Sequence, residues 1–153
     1  MGDIIQKEVF RIYLSHYIRG PKGNEATQKD IAENIAKHIA IGTEIKAWLI
    51  DWEKMDGFPK CDLYIPAEHD EFVQIAYNKS YIKEEQILDV DCNIIRKCSL
   101  LIAWGDPSRS TGMTVEVEYA GRIGIPILFA VALNNSTIMA LKQAIAYISS
   151  GDR

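Results

Sequence analysis

Ser99-Leu100-Leu101-Ile102-Ala103-Trp104, then Gly105-Asp106-Pro107-Ser108-Arg109, then Ser110-Thr111-Gly112-Met113-Thr114-Val115-Glu116-Val117-Glu118-Tyr119-Ala120, is the stretch that decides the fold. The opening run is apolar and has the length of a strand buried on both faces. A polar loop of turn residues follows, and the third piece reads as the start of a helix rich in small residues. Strand, loop and helix in this order form the repeating unit of a parallel α/β sheet, whose ligands bind beyond the carboxyl ends of the strands. A side chain near the start of such a helix points back over the preceding turn, which aims Glu116 at that crevice.

Two readings of Glu116 stand at this point. An acidic residue early in a helix complements the positive end of the dipole whatever the protein does. Glu118 provides the comparison, because two positions along a helix turn a side chain by roughly 200°, so the two glutamates cannot face the same cleft. Gly112, Glu116 and Ala120 share a face of small residues that leaves room for a ligand, and Glu118 is assigned to solvent.

Outward from this unit the same alternation continues. Residues 9–15 are rich in β-formers and run into a loop containing Gly20-Pro21-Lys22-Gly23. Residues 27–41 carry Ile31, Ile35 and Ile39 at helical spacing and are expected to stop near Gly42. Residues 47–55 fit either a short helix or a strand before the break at Gly57-Phe58-Pro59-Lys60, and residues 62–66 read as the second strand. Glu68-His69-Asp70-Glu71 reads as an acidic loop, and residues 81–97 as a helix turning Ile87, Val90, Ile94 and Ile95 inward. Toward the C-terminus, residues 125–132 form another apolar strand, and Asn134-Asn135-Ser136 caps a last helix over 137–149, closed by Gly151. With no linker or repeat, the pattern predicts one domain over residues 1–153, a three-layer α/β open parallel sheet with helices on both faces.

The 153 residues are 48% hydrophobic and 25% charged, with a formal net charge of -4. Without a basic stripe the chain is expected to bind neither nucleic acid nor an anionic membrane, which leaves a small molecule as the partner. Cys61, Cys92 and Cys98 show no C-x-x-C spacing, so no metal site or disulfide framework is expected. No apolar stretch approaches the roughly 20 residues of a membrane span, and Met1-Gly2-Asp3-Ile4-Ile5-Gln6-Lys7-Glu8 lacks the form of a signal peptide, so a cytoplasmic location is expected. The absence of G-x-x-x-x-G-K-[ST] and G-x-G-x-x-G argues against a triphosphate or dinucleotide cofactor, and none is expected. Nor is there a G-x-S-x-G nucleophile elbow. Carboxylate chemistry remains, from Glu116 and from Asp91, whose neighbour Asp89 lies on the other face of its helix.

Tyr13-Leu14-Ser15-His16-Tyr17-Ile18-Arg19-Gly20, Asp91 eight residues ahead of Ser99, and Ser110-Thr111-Gly112 with Glu116 and Ala120 together carry a resemblance. In this order, over nearly the whole chain, they resemble the nucleoside 2-deoxyribosyltransferase family, including its 2′-deoxynucleoside 5′-monophosphate N-hydrolase branch. The resemblance implies a flavodoxin- or Rossmann-like sheet and cleavage of an N-glycosidic bond, with the sugar passed to water or to an acceptor base. It implies Glu116 as the nucleophile forming a glycosyl-enzyme, Tyr13 as the residue that orients it, and Asp91 as the group assisting departure of the base. Ser15, His16, Arg19, Gly20, Asp106, Ser110 and Gly112 form the implied substrate-binding set, with Arg19 and Ser110 at positions that hold a 5′-phosphate in the hydrolase branch. It further implies a homodimer or higher homo-oligomer.

Several of these residues have a second reading. Tyr13 also fits a core aromatic with a wet hydroxyl, and Asp106 fits the turn-forming aspartate of Asp-Pro. His16 and Tyr17 stand where small residues, commonly glycine and serine, are usual in the first loop, and His16 and His69 also fit structural histidines. Against the enzyme stand two other readings of the whole chain: a non-catalytic nucleotide-sensing module on the same fold, and a flavodoxin-like protein with no small-molecule role.

Overall fold

The computed structural model describes residues 9–151; the reading of residues 1–8 as lacking a signal peptide lies outside them. Four strands, β1 (Phe10–Ser15), β2 (Cys61–Tyr64), β3 (Leu100–Trp104) and β4 (Ile127–Ala130), pair in parallel in the order β2-β1-β3-β4. Five helices follow the strands: α1 (Gln28–Glu53), α2 (Ala67–Asn78), α3 (Glu84–Ile95), α4 (Thr111–Ile123) and α5 (Asn135–Ser149). Short 3-10 turns occupy Gly20–Glu25 and Pro107–Arg109.

Strand alternation sorts the core into two layers. Phe10, Ile12 and Leu14 of β1 and Leu100, Ile102 and Trp104 of β3 pack with Ile41, Ile45 and Leu49 of α1 and with Leu141 and Ile145 of α5. Tyr13, Leu101 and Ala103 face the other way, beneath Ile95 of α3 and Met113 and Ala120 of α4. This is the expected three-layer α/β open sheet. The chain moves from β1 outward to β2, then crosses back to β3, so the sense in which strands are added reverses between β1 and β3 while all of them stay parallel. A crevice opens at that switch point, at the carboxyl ends of the two central strands.

Several element boundaries differ from the sequence expectation. Helix α1 starts in a Thr27–Asp30 capping box but runs straight through Gly42, so residues 47–55 continue it rather than forming a separate element. Gly42 ends nothing: a Cβ there would fall on Ile65 Cδ1 and lie 2.8 Å from Cγ1, so its small size lets β2's exit pack against the helix. Residues 68–71, read as a loop, lie in the first turns of α2. In α3, Ile95 is fully buried but Val90 is 58% exposed rather than inward. Strand β4 is shorter than residues 125–132 and lies at the sheet edge, leaving Phe129 exposed. Among the described residues, no helix is long and apolar enough to cross a membrane.

Candidate active site

The alternation that buries Ile12 and Leu14 on one face sends Tyr13 and Ser15 to the other, under α4. Ser110 caps α4, its hydroxyl accepting from the Met113 amide at 3.2 Å. From that start, Glu116 lies about one and a half turns in and faces the ends of β1. Tyr13 donates its hydroxyl to Glu116 Oε2. Ser15 donates to Oε1 at 2.9 Å. Both carboxyl oxygens are therefore held from below, and the residue is only 6% exposed. Glu118 is exposed, as its position around the helix requires.

Glu116 forms part of the wall of a cleft at the switch point, together with Asp91 of α3 and with Ser110, Thr111 and Gly112 at the start of α4. His16, Ile18, Arg19 and Gly20 line it from the loop after β1. Asp89 is exposed and leaves Asp91 as the one aspartate of that pair in the cleft. Tyr13 and Ser15 lie behind the wall, where Ser15 holds Glu116 and does not itself line the cleft. Asp106 is likewise absent from the lining: it accepts from the amide and hydroxyl of Ser108, at 3.0 and 2.7 Å, and caps the turn.

Helix α1 fixes the first loop. Asn34 donates its amide to the Ile18 carbonyl at 2.8 Å. Lys37 donates to the Tyr17 hydroxyl at 2.9 Å. His38 stacks on the His16 ring at a centroid distance of 4.4 Å. Tyr17 packs behind the loop, its ring 3.3 Å from where a Cβ on Gly20 would stand, and Gly20 has a φ of +70° that favours glycine. The bulky Tyr17 thus backs the loop and is absent from the cleft wall. His16 is both a wall residue and a structural one, since its Nε2 accepts from the Ala67 amide at 3.1 Å and so caps the first residue of α2. Its Nδ1 lies 3.0 Å from the Tyr17 carbonyl and donates to it, because the other nitrogen is an acceptor. His69 is instead stacked beside Tyr64.

Several wall residues escaped the sequence reading, among them Asp70, Gln74 and Tyr77 of α2, and Arg109. The first three are spaced four and three apart and so share one helix face. Their detection depended on reading residues 68–71 as helix. Arg109 follows a turn with no distinguishing pattern, yet it joins Arg19 at the cleft, whose guanidinium lies 5.4 Å from the Tyr77 ring centre.

The carboxyls are electrostatically strained. Burial and then the Asp91 charge push Glu116 up to about 8, against the pull of the Tyr13 and Ser15 hydroxyls. Burial pushes Asp91 up to about 6, opposed by the Tyr13 hydroxyl. Burial, then the Asp91 charge, pushes Asp70 up to about 7. Like charges this close do not ionise independently, so Glu116 and Asp91 titrate as a pair that holds a proton above the usual carboxylate range. Among the described residues, no cluster of histidine, cysteine, aspartate or glutamate is arranged to hold a metal ion.

The arrangement brings an oriented carboxyl, a second carboxyl, two arginines and a helix N-terminus into the lining of one cleft. No family model, curated protein or solved structure matches this chain.

Proposed function

We propose that this chain is an N-glycosidase of the nucleoside 2-deoxyribosyltransferase kind, cleaving the bond between base and sugar of a (deoxy)nucleoside 5′-monophosphate. The observation that carries the reading is the buried Glu116 carboxyl, each oxygen held by a hydroxyl from β1, opening onto a cleft that also contains Asp91. In the reaction, a Glu116 oxygen attacks the anomeric carbon while the bond to the base breaks and its electron pair leaves with the base. Asp91 gives its proton to that base. The ester so formed divides one displacement into two, and the carboxyl pair accommodates an oxocarbenium-like transition state on either side of it. Asp91, now ionised, takes a proton from water, whose oxygen attacks the anomeric carbon and releases Glu116; the sugar keeps its configuration. An acceptor base in place of water makes the reaction a transfer.

The 5′-phosphate is supported by Arg19 and Arg109 on the cleft wall and by Thr111 and Gly112, whose amides in the first turn of α4 have no partner within the helix. No nucleotide cofactor or metal enters the scheme. The resemblance also supports a homo-oligomer, which light scattering tests directly.

Base release is to be measured from ribo- and deoxynucleosides and their 5′-monophosphates, with and without a free acceptor base, for the natural chain and Glu116→Ala. Release that disappears in the variant supports the nucleophile, and dependence on acceptor separates transfer from hydrolysis. Absence of release, with nucleotide binding retained, would replace this reading with the non-catalytic sensing module.

A further inference from the structure

Asp70 is the unexplained group in the cleft. It is 5% exposed, lies on the cleft wall, and no donor among the described residues reaches its buried Oδ2. His16 Nε2 lies 3.9 Å away but has no proton to give, because it accepts from the Ala67 amide. Burial holds the His16 ring down to about 4, which keeps it neutral at ordinary pH. A carboxyl oxygen buried without a partner costs about 1–3 kcal/mol, more if charged, and such a group in an open cleft is satisfied by what binds there.

Its place along the cleft indicates which part of a nucleotide that is. Tyr77, two turns further along α2 and on the same face, lies under the Arg19 guanidinium, so Asp70 stands at the end of that face away from the arginine assigned to the phosphate, roughly 10 Å back along the helix axis. Gln74, one turn from Asp70 on the same helix face, adds an amide that can read the edge of a planar heterocycle.

We propose that Asp70 reads the base by accepting a hydrogen bond from an exocyclic amino group, so that amino-bearing bases are preferred over their keto counterparts. This inference rests on the N-glycosidase reading and deepens it. With the Asp70 carboxyl ionised, which holds above pH about 7 and sets the pH of the assays, an amino group places a donor against the carboxyl oxygen, whereas a carbonyl at the same ring position sets two lone-pair-bearing oxygens against each other. A site that leaves a buried polar group unpaired with the wrong substrate discriminates strongly.

The test compares 2′-deoxycytidine with 2′-deoxyuridine 5′-monophosphate, and 2′-deoxyadenosine with 2′-deoxyinosine 5′-monophosphate, pairs that differ in the exocyclic group and, with it, in whether the adjacent ring nitrogen carries a proton. Release is measured for the natural chain, Asp70→Ala and Asp70→Asn, and binding by calorimetry on Glu116→Ala with and without Asp70→Ala. The expected amino-to-keto ratio in kcat/KM is about tenfold or more for the natural chain; it is lost in Asp70→Ala and moves toward keto bases in Asp70→Asn, whose amide donates. Asp70→Asn, which keeps the shape, is expected to melt no lower than the natural chain, as no donor among the described residues reaches Oδ2. A ratio unchanged in Asp70→Ala, or a change in ribose against deoxyribose selectivity instead, overturns the assignment and leaves the N-glycosidase reading standing. Amino-selective binding lost in Asp70→Ala, without release from any substrate, keeps the assignment and overturns the glycosidase. Neither binding nor release overturns both.

Discussion

Tyr13 and Glu116, separated by 103 positions in the chain, meet through the tyrosine hydroxyl beneath the floor of the cleft. The contact ties the central strand to α4, and Ser15, two residues further along the same strand face, takes the other oxygen. A glutamate held at both oxygens has one orientation. Burial of Tyr13, together with the Glu116 and Asp91 charges, raises the phenol well above its ordinary range, so it remains a donor throughout the working pH.

Tyr13→Phe is therefore expected to keep the fold and lose rate. A hydrogen bond to a charged group is worth about 1.5–3 kcal/mol, or roughly 10- to 100-fold in kcat, with KM little changed. Ser15→Ala should behave alike, and the double variant should fall short of the summed losses because both act on one carboxyl. Steady-state kinetics of the three variants decide this; equal effects on KM and none on kcat would assign Tyr13 to packing alone.

Asp91→Asn removes the proton donor while preserving shape. The loss expected for a general acid is about 10²- to 10⁴-fold in kcat, and its size should depend on the base. Substrates whose base leaves without protonation, such as an N7-alkylated purine nucleotide, should be nearly unaffected. A uniform loss across all leaving groups would assign Asp91 an electrostatic role instead.

Stability should also report on the buried carboxyls. Glu116, Asp70 and Asp91 are raised to about 8, 7 and 6 in the folded chain, so each contributes stability below its unfolded range that is lost as pH rises through the folded value. His16 and His38, lowered to about 4 and 3, act oppositely: their contribution is full above about 6.5 and declines as pH falls through those values. Above pH 6.5 only the carboxyl effect remains, so the melting temperature is expected to fall up to about pH 8.5, and Asp70→Asn should flatten that fall. Calorimetric scans across this range provide the check; a melting temperature rising over the same interval would contradict the assignment.

These predictions rest on features that were unequally visible in the sequence. The β3 and α4 unit was legible because Leu100 to Trp104 is apolar throughout and Ser110 is a strong cap. Tyr13 and Ser15 were legible as a motif, but that Ser15 holds Glu116 from behind the cleft wall depends on the parallel register and on alternation across β1. Helix α2 was hidden because its apolar residues point the wrong way: Phe72 and Ile75 are 78% and 51% exposed, while Asp70 is buried. An acidic run with outward-facing apolar residues carries no amphipathic signal, and with it the Asp70, Gln74 and Tyr77 face of the cleft was lost. Gly42 misled for a similar reason, since a packing glycine and a helix stop look alike until the partner, Ile65, is in place.

Arg19 and Arg109 give the last prediction, which separates nucleotide from nucleoside chemistry. Arg19 donates to Asn24 Oδ1 at 2.9 Å and lies over Tyr77, so its guanidinium is restrained at the cleft. Arg109 lies 3.8 Å from Asp106, both largely exposed, a pairing too weak to compete with a phosphate. If both arginines face a 5′-phosphate, Arg19→Ala and Arg109→Ala should each raise KM for 5′-monophosphates by roughly 10- to 100-fold, the value of a charge-assisted hydrogen bond of about 1.5–3 kcal/mol. KM for the corresponding nucleosides should hardly move. Raising the salt concentration should weaken nucleotide binding by the natural chain and affect the double variant less. Equal losses for nucleotide and nucleoside would place the arginines in loop stability, since removing Arg19 also releases Asn24, and would shift the substrate to an unphosphorylated nucleoside.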